Sequence, residues 1–250
     1  MPAVVLAGAP AEPELKDKYS VAYRAELPIA GKMMAQHVID ALKASSCVGN
    51  IHVVGDIKCD GADGFIPPAG TLIENLIAGM KACGSDGCGL IVTSDIPLVT
   101  PEAIDDFIER CGDLSADFYY SIIPKEACEK RFPGVRRTYV RLAEGTFTGG
   151  NIMVMSSRLV TENANLIREV VAARKSPMKL SRLIGLGTLL RMVIAQTVWA
   201  KAVNIATLEK TAGRILKADI KAVKTPYAEI GADVDDAEQF EAMEKLLKNV

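Results

Sequence analysis

Three times in the first 110 residues a short, continuous apolar run ends and gives way to a segment with apolar residues at helical spacing. The runs are Pro2–Ala7, Ile51–Gly55 and Gly89–Thr93. The helical segments carry Met34, Val38, Ile39 and Leu42, then Leu72, Leu76, Ile77 and Met80. The third opens at Thr100-Pro101-Glu102, where a threonine cap precedes proline and an acid in the first turn, and runs to about Cys111. Strands that are apolar throughout belong in a parallel sheet covered on both faces. This alternation predicts an α/β fold, a Rossmann-like three-layer sandwich.

Beyond Asp117 the strand patterns at Phe118–Ile123, Thr138–Leu142, Asn151–Met155 and Ile220–Val223 extend this to a mixed, mostly parallel sheet. Helical patterns fall at about 157–174, 181–196 and 207–216. Asp235 caps a closing helix with Phe240, Met243, Leu246 and Leu247 on its apolar face. The fifteen residues after Gly8 hold two prolines and no apolar period, and read as a long loop of the functional kind. No linker or repeat divides the chain. The reading is one domain over residues 1–250, with a helical insertion at about 176–216.

Composition narrows the function. The net charge of −2 and a pI near 5.8 argue against general nucleic-acid binding. No basic residue precedes the first apolar run, so it does not read as a secretory signal. Arg191 and Lys201 interrupt the apolar stretch 183–203, short of the roughly 20 apolar residues a membrane span needs. That stretch, with Trp199, fits core, a homodimer contact or, less well, a peripheral membrane face. The six cysteines form no C-x-x-C pair and read as reduced thiols of a cytoplasmic protein. His37 and His52 sit within helix and strand patterns and suit packing. Bases concentrate in two segments: six against two acids over 125–141, nine against two over 176–224. Such runs are either solvated faces or the attracting half of a cleft for an anionic substrate.

In a doubly wound sheet, ligands gather at the carboxyl ends of the strands. The first run ends in Leu6-Ala-Gly8, where glycine lets backbone amides approach a phosphate. The third ends in Thr93-Ser-Asp95, an acid that is costly there unless it meets a cation, hydrogen bonds or water. Gly231-Ala-Asp-Val-Asp-Asp236 supplies further carboxylates: Asp235 suits a helix cap, and Asp233 and Asp235 are also candidates to share a metal with Asp95. Hard oxygen ligands in small number, completed by substrate phosphates, suit Mg²⁺.

Leu6-Ala-Gly8, Pro28-Ile-Ala-Gly-Lys-Met-Met34, Ser94-Asp-Ile-Pro97, Gly149-Gly-Asn151 and Asp233-Val-Asp235 occur in the order seen in sugar-1-phosphate-type nucleotidyltransferases. Through them the chain resembles the nucleotide-diphospho-sugar transferase superfamily, above all its molybdenum-cofactor guanylyltransferase-like (MobA-like) subgroup. The resemblance covers most of the chain and is weakest over about 176–216. It implies transfer of a nucleoside monophosphate from an NTP to a phosphorylated small-molecule acceptor, with Mg²⁺ as cofactor and pyrophosphate as the second product.

By the same resemblance Leu6, Ala7, Gly8 and Ala9, with Ser94, hold the triphosphate, and Gly70, Thr71 and Asn75 read the base. Asp95 and Asp235, with Asp233 nearby, hold the metal; Gly149, Gly150 and Asn151 hold the acceptor. Arg136, Arg137 and Lys179 are candidates for its phosphate, because guanidinium forks match that geometry. Two departures stand out. Ala9-Pro10 replaces the family's second loop glycine, removing an amide donor. The loop arginine is missing, Lys16 and Lys18 being possible substitutes, and Arg24 takes the place of the lysine before the P-x-x-G-K stretch. Two rival functions therefore stand beside transfer: a nucleotide-sugar-dependent glycosyltransferase, which releases no pyrophosphate, and a nucleotide-binding protein without catalysis.

Overall fold

The computed structural model describes residues 1–84, 87–173 and 202–248. Strands β1 (Ala3–Leu6), β4 (Ile51–Val54), β5 (Gly64–Ile66) and β6 (Cys88–Thr93) lie parallel, with β1 between β4 and β6. Strand β9 (Gly145–Ser156) runs antiparallel to β6. Beyond it come β7 (Phe118–Pro124) and β10 (Ile220–Lys224), parallel to each other, while β8 (Val140–Leu142) forms a hairpin with β9. The sheet is thus mixed and mostly parallel, in the order β10-β7-β9-β6-β1-β4-β5. A two-stranded ribbon, β2 (Pro28–Ile29) with β3 (Lys32–Met33), stands apart.

All four β1 residues are buried, and they alternate between two cores as a pleated strand must. Ala3 and Val5 face a core built with α2 (Met34–Ala44), α4 (Pro101–Arg110) and α8 (Ala237–Leu247). Val4 and Leu6 face α3 (Leu72–Ala82) and α6 (Ser157–Ala173). These are the three layers expected. Helix α7 (Ile205–Leu216) packs on α6 and β10. Most of the expected insertion, including Lys179, the 181–196 helix and Trp199, lies outside the described residues. All six cysteines are free; burial pushes the Cys59 and Cys83 thiols to about 11 and Cys111 to about 12. No helix among the described residues is long and apolar enough to cross a membrane.

Two expectations are corrected. The stretch after Gly8 is not all loop: α1 (Pro13–Tyr19) forms there, with Pro13 at its start, the Glu12 carboxylate accepting from Glu14 N (3.1 Å), and Ser20 ending it in the left-handed region. A short helix α5 (Lys125–Arg131) likewise carries much of the basic run, with Arg131 paired to Glu229 at 2.7 Å. Asp236, not Asp235, caps α8: it accepts from Gln239 N at 2.8 Å, while Gln239 reaches back to Asp235 N at 2.6 Å. That reciprocal cap leaves the Asp235 carboxylate free to point elsewhere.

Candidate active site

From β1 the chain steps to β4 and β5 on one side, then returns to β6 on the other, so the carboxyl ends of β1 and β6 flank the topological switch point. Ser94 N still donates to Leu6 O (3.2 Å), which holds the two strand ends together, with Gly8 and Asp95 just beyond. Gly8 has no room for a side chain: a Cβ there would stand 2.7 Å from Asn75 Nδ2. Asn75 is buried on α3, and its Oδ1 accepts from Ala69 N at 2.7 Å. One amide thus fastens the Pro68–Thr71 segment against the first loop. Thr71 caps α3 through Glu74 N (3.3 Å), and Gly70 takes a φ of +105°. Leu6 and Ala7 are buried in the sheet, whereas Ala9 is exposed and its carbonyl accepts from Arg24 N (2.9 Å).

That bond anchors a single turn of 3-10 helix, Arg24–Glu26, whose Glu26 carboxylate accepts from Ala22 N and Tyr23 N at 2.9 and 2.8 Å. The turn delivers the Arg24 guanidinium to the end of β6. A single nitrogen, Nη1, donates to Asp95 Oδ2 at 2.8 Å and to Asp235 Oδ1 at 2.5 Å. The other oxygen of Asp95 accepts from Thr93 Oγ1 at 2.5 Å. Asp235 is brought there from the far end of the chain because Val234 N donates to Asp95 O (2.9 Å). Burial alone would lower the Arg24 pKa; Asp95 and Asp235 outweigh it and hold it above its ordinary value.

Asp233 joins the same cluster. Burial first, then the charges of Asp235 and Asp95, push its pKa up to about 6. Its nearest cation is Arg137, with Nη1 4.0 Å from Asp233 Oδ1 and a side chain only 6% exposed. The site therefore gathers three carboxylates and two guanidinium groups. Among the described residues the buried side-chain nitrogens and oxygens without a partner are Arg24 Nε and Arg137 Nε. Orphaned donors in such a polar cluster suit an anionic ligand. Among the described residues no three acids, imidazoles or thiols are arranged to hold an ion by themselves. Arg24 stands between Asp95 and Asp235. Two carboxylates that share one cationic nitrogen fit a divalent ion completed by substrate phosphates rather than an all-protein cage.

The sequence-derived acceptor residues divide. Gly149, Gly150 and Asn151 lie within β9, which begins at Gly145 rather than near Asn151. The space of a Gly149 side chain is taken by the Tyr120 hydroxyl, and that of Gly150 by Ser121 and Ile230. These glycines let neighbours close over the sheet, and the polar group that results is Tyr120, which the sequence reading did not single out. Its one signal was a tyrosine in a strand pattern that a glycine pair could face. Arg137 turns inward, 3.3 Å from where a Cβ on Gly231 would be, while its neighbour Arg136 is exposed.

The MobA-like NTP transferase domain model matches residues 3–217. No curated protein matches the sequence. Among solved structures, a hypothetical transferase from Thermus thermophilus superposes with a TM-score of 0.85 at 34% identity, over 96% of this chain and 99% of that one. A CMP:2-keto-3-deoxy-manno-octonic acid synthetase complexed with CTP gives 0.56 at 15% identity, over 99% and 98%. A nucleotidyl transferase from Methanothermobacter gives 0.56 at 14%, over 100% and 98%. The last two share the fold. With the family model covering most of the chain, from β1 through both strand ends of the switch point to α7, the chain belongs to the MobA-like NTP transferase domain family.

Proposed function

We propose that the protein is a cytoplasmic, Mg²⁺-dependent nucleotidyltransferase that moves a nucleoside monophosphate from an NTP to a phosphorylated small-molecule acceptor. An oxygen of the acceptor phosphate attacks the α-phosphorus, the new P–O bond forms, the bond to the β-phosphate breaks, and pyrophosphate leaves. The observation that carries this reading is the bridge from Arg24 to both Asp95 and Asp235 at the switch point. Bound Mg²⁺ would supply charge neutralisation at the α-phosphate, with Asp95 and Asp235 as its protein ligands. Arg24 then has two sets of anionic partners, the carboxylates before substrate arrives and the β- and γ-phosphates afterwards. Its backbone tie to Ala9 keeps it beside the first loop in both cases. Asn75 and the Gly70–Thr71 turn face the base, and Arg137 with Tyr120 faces the acceptor. The free thiols suit a reducing compartment.

Thermal shift with four NTPs and Mg²⁺, followed by pyrophosphate release on adding phosphorylated metabolites, tests the assignment. Asp95→Ala should abolish release and leave a cooperative melt. Undiminished release would remove Asp95 from the site. A second reading, nucleotide binding without turnover, is favoured by the first loop itself: Pro10 bridges to Tyr23, so the position of a lost glycine is spent on backbone pairing. It predicts a nucleotide-dependent rise in Tm and no pyrophosphate with any acceptor. Turnover of a nucleotide-sugar without pyrophosphate would instead mark a glycosyltransferase.

A further inference from the structure

Thr93, the last residue of β6, is half-buried and lies opposite Leu6 in the parallel register with β1. Its hydroxyl donates to Asp95 Oδ1 at 2.5 Å, while Arg24 Nη1 donates to Asp95 Oδ2 at 2.8 Å. Each oxygen of the carboxylate has a partner of its own, and the two partners differ in kind. Arg24 is shared with Asp235 and leaves its Nε without a partner, so an arriving anion can draw it off. Thr93 cannot follow. It stands in the strand itself, and a β-branched side chain has little freedom about χ1. The backbone on either side is pinned as well: Ser94 N donates to Leu6 O (3.2 Å), and Asp95 O accepts from Val234 N (2.9 Å). The Asp95 carboxylate is thus held in one rotation, with Oδ1 engaged by a fixed donor and Oδ2 by a movable one.

A carboxylate with one oxygen tied up in a charge-assisted hydrogen bond offers a cation the other oxygen. Ca²⁺ gathers about six to eight oxygens and often takes both from one carboxylate, whereas Mg²⁺ keeps several waters and asks less of each protein group. Resting on the nucleotidyltransferase reading, we infer that Thr93 is a positioning residue that sets the choice of cation. By occupying Asp95 Oδ1 it limits Asp95 to a single oxygen and so favours Mg²⁺ over Ca²⁺. Arg24 gives way when phosphate arrives and Thr93 stays, so the preference is built into the end of β6 and does not depend on the substrate.

The test titrates Mn²⁺ into the full chain without nucleotide, reads uptake as loss of the free-ion EPR signal, and then adds Mg²⁺ or Ca²⁺ to displace the bound ion. The unmodified protein should release Mn²⁺ to Mg²⁺ at a lower concentration than to Ca²⁺. Thr93→Val keeps the β-branched shape that a strand favours and removes the donor. It should move the balance toward Ca²⁺ by about tenfold, the scale of one hydrogen bond to a charged group. Thr93→Ser, which retains a hydroxyl, should keep the unmodified order. Equal displacement ratios in the unmodified protein and Thr93→Val would overturn the inference, as would the same shift in Thr93→Ser. Pyrophosphate release by the unmodified protein is scored beside them. Release with an unchanged ratio removes the role of Thr93 and leaves the transferase reading, whereas neither Mn²⁺ uptake nor release removes both.

Discussion

Arg24 and the acids around it give the site its resting state. Replacing Arg24 by alanine leaves Asp95, Asp235 and Asp233 facing one another. We expect a loss of about 1–3 kcal/mol at neutral pH, reduced because the Asp235 side chain is 56% exposed. Urea melts should show that loss and show millimolar Mg²⁺ recovering part of it; no recovery would mean the carboxylates do not take up the ion. Asp233 has a signed pH signature. Its pKa stands at about 6 in the folded chain against 3.8 ordinarily, so between those values the native state holds more protons than the unfolded one. Its contribution is complete below about 4 and is lost as pH rises through about 6. Asp233→Asn should therefore raise stability by up to about 3 kcal/mol above pH 7 and by nothing near pH 4, read from melts at the two extremes. At this scale Asp95 was legible, because an acid ending a buried run needs a reason. The sequence puts the helix cap at Asp235, one residue before the true cap Asp236, since either can cap a helix on paper and only the Gln239 bonds decide which does. Tyr120 was hidden, its role depending on a glycine opposite in another strand.

The elements follow their local chemistry where periodicity is repeated and escape it where one contact suffices. Helices α2, α3 and α4 each bury a full stripe, and their patterns were plain. Helix α1 has seven residues and buries Leu15 alone, so caps rather than period define it. Strand β9 looked short because Gly149-Gly150 resembles a turn in sequence; in the sheet those positions are filled by Tyr120 and Ser121 from β7. Glycine has a different use in α3, where Gly79 lets the helix sit directly on Val4 and Val54. Alanine is the better helix former by roughly 0.5–1 kcal/mol, yet a methyl at that contact must push two sheet residues aside. Gly79→Ala should thus be net destabilising by about 1–2 kcal/mol, seen as a lower urea midpoint with an unchanged slope. A stabilised variant would show that α3 has room to move.

Across the whole molecule, the return of the chain from β5 to β6 turns separate strand ends into one site. It places the first loop, the turn bearing Arg24 and the Asp233–Asp235 segment together at the ends of β1 and β6, although they lie some 200 residues apart in sequence. That convergence was legible in outline from the order of five short motifs. The account predicts that substrate exchanges the partners of one arginine. A crystal structure with NTP and Mn²⁺ measures this directly: an anomalous peak between Asp95 and Asp235, with the Arg24 guanidinium moved onto the triphosphate, is the expected result. Nucleotide bound while Arg24 still bridges both carboxylates, with no peak there, would contradict it.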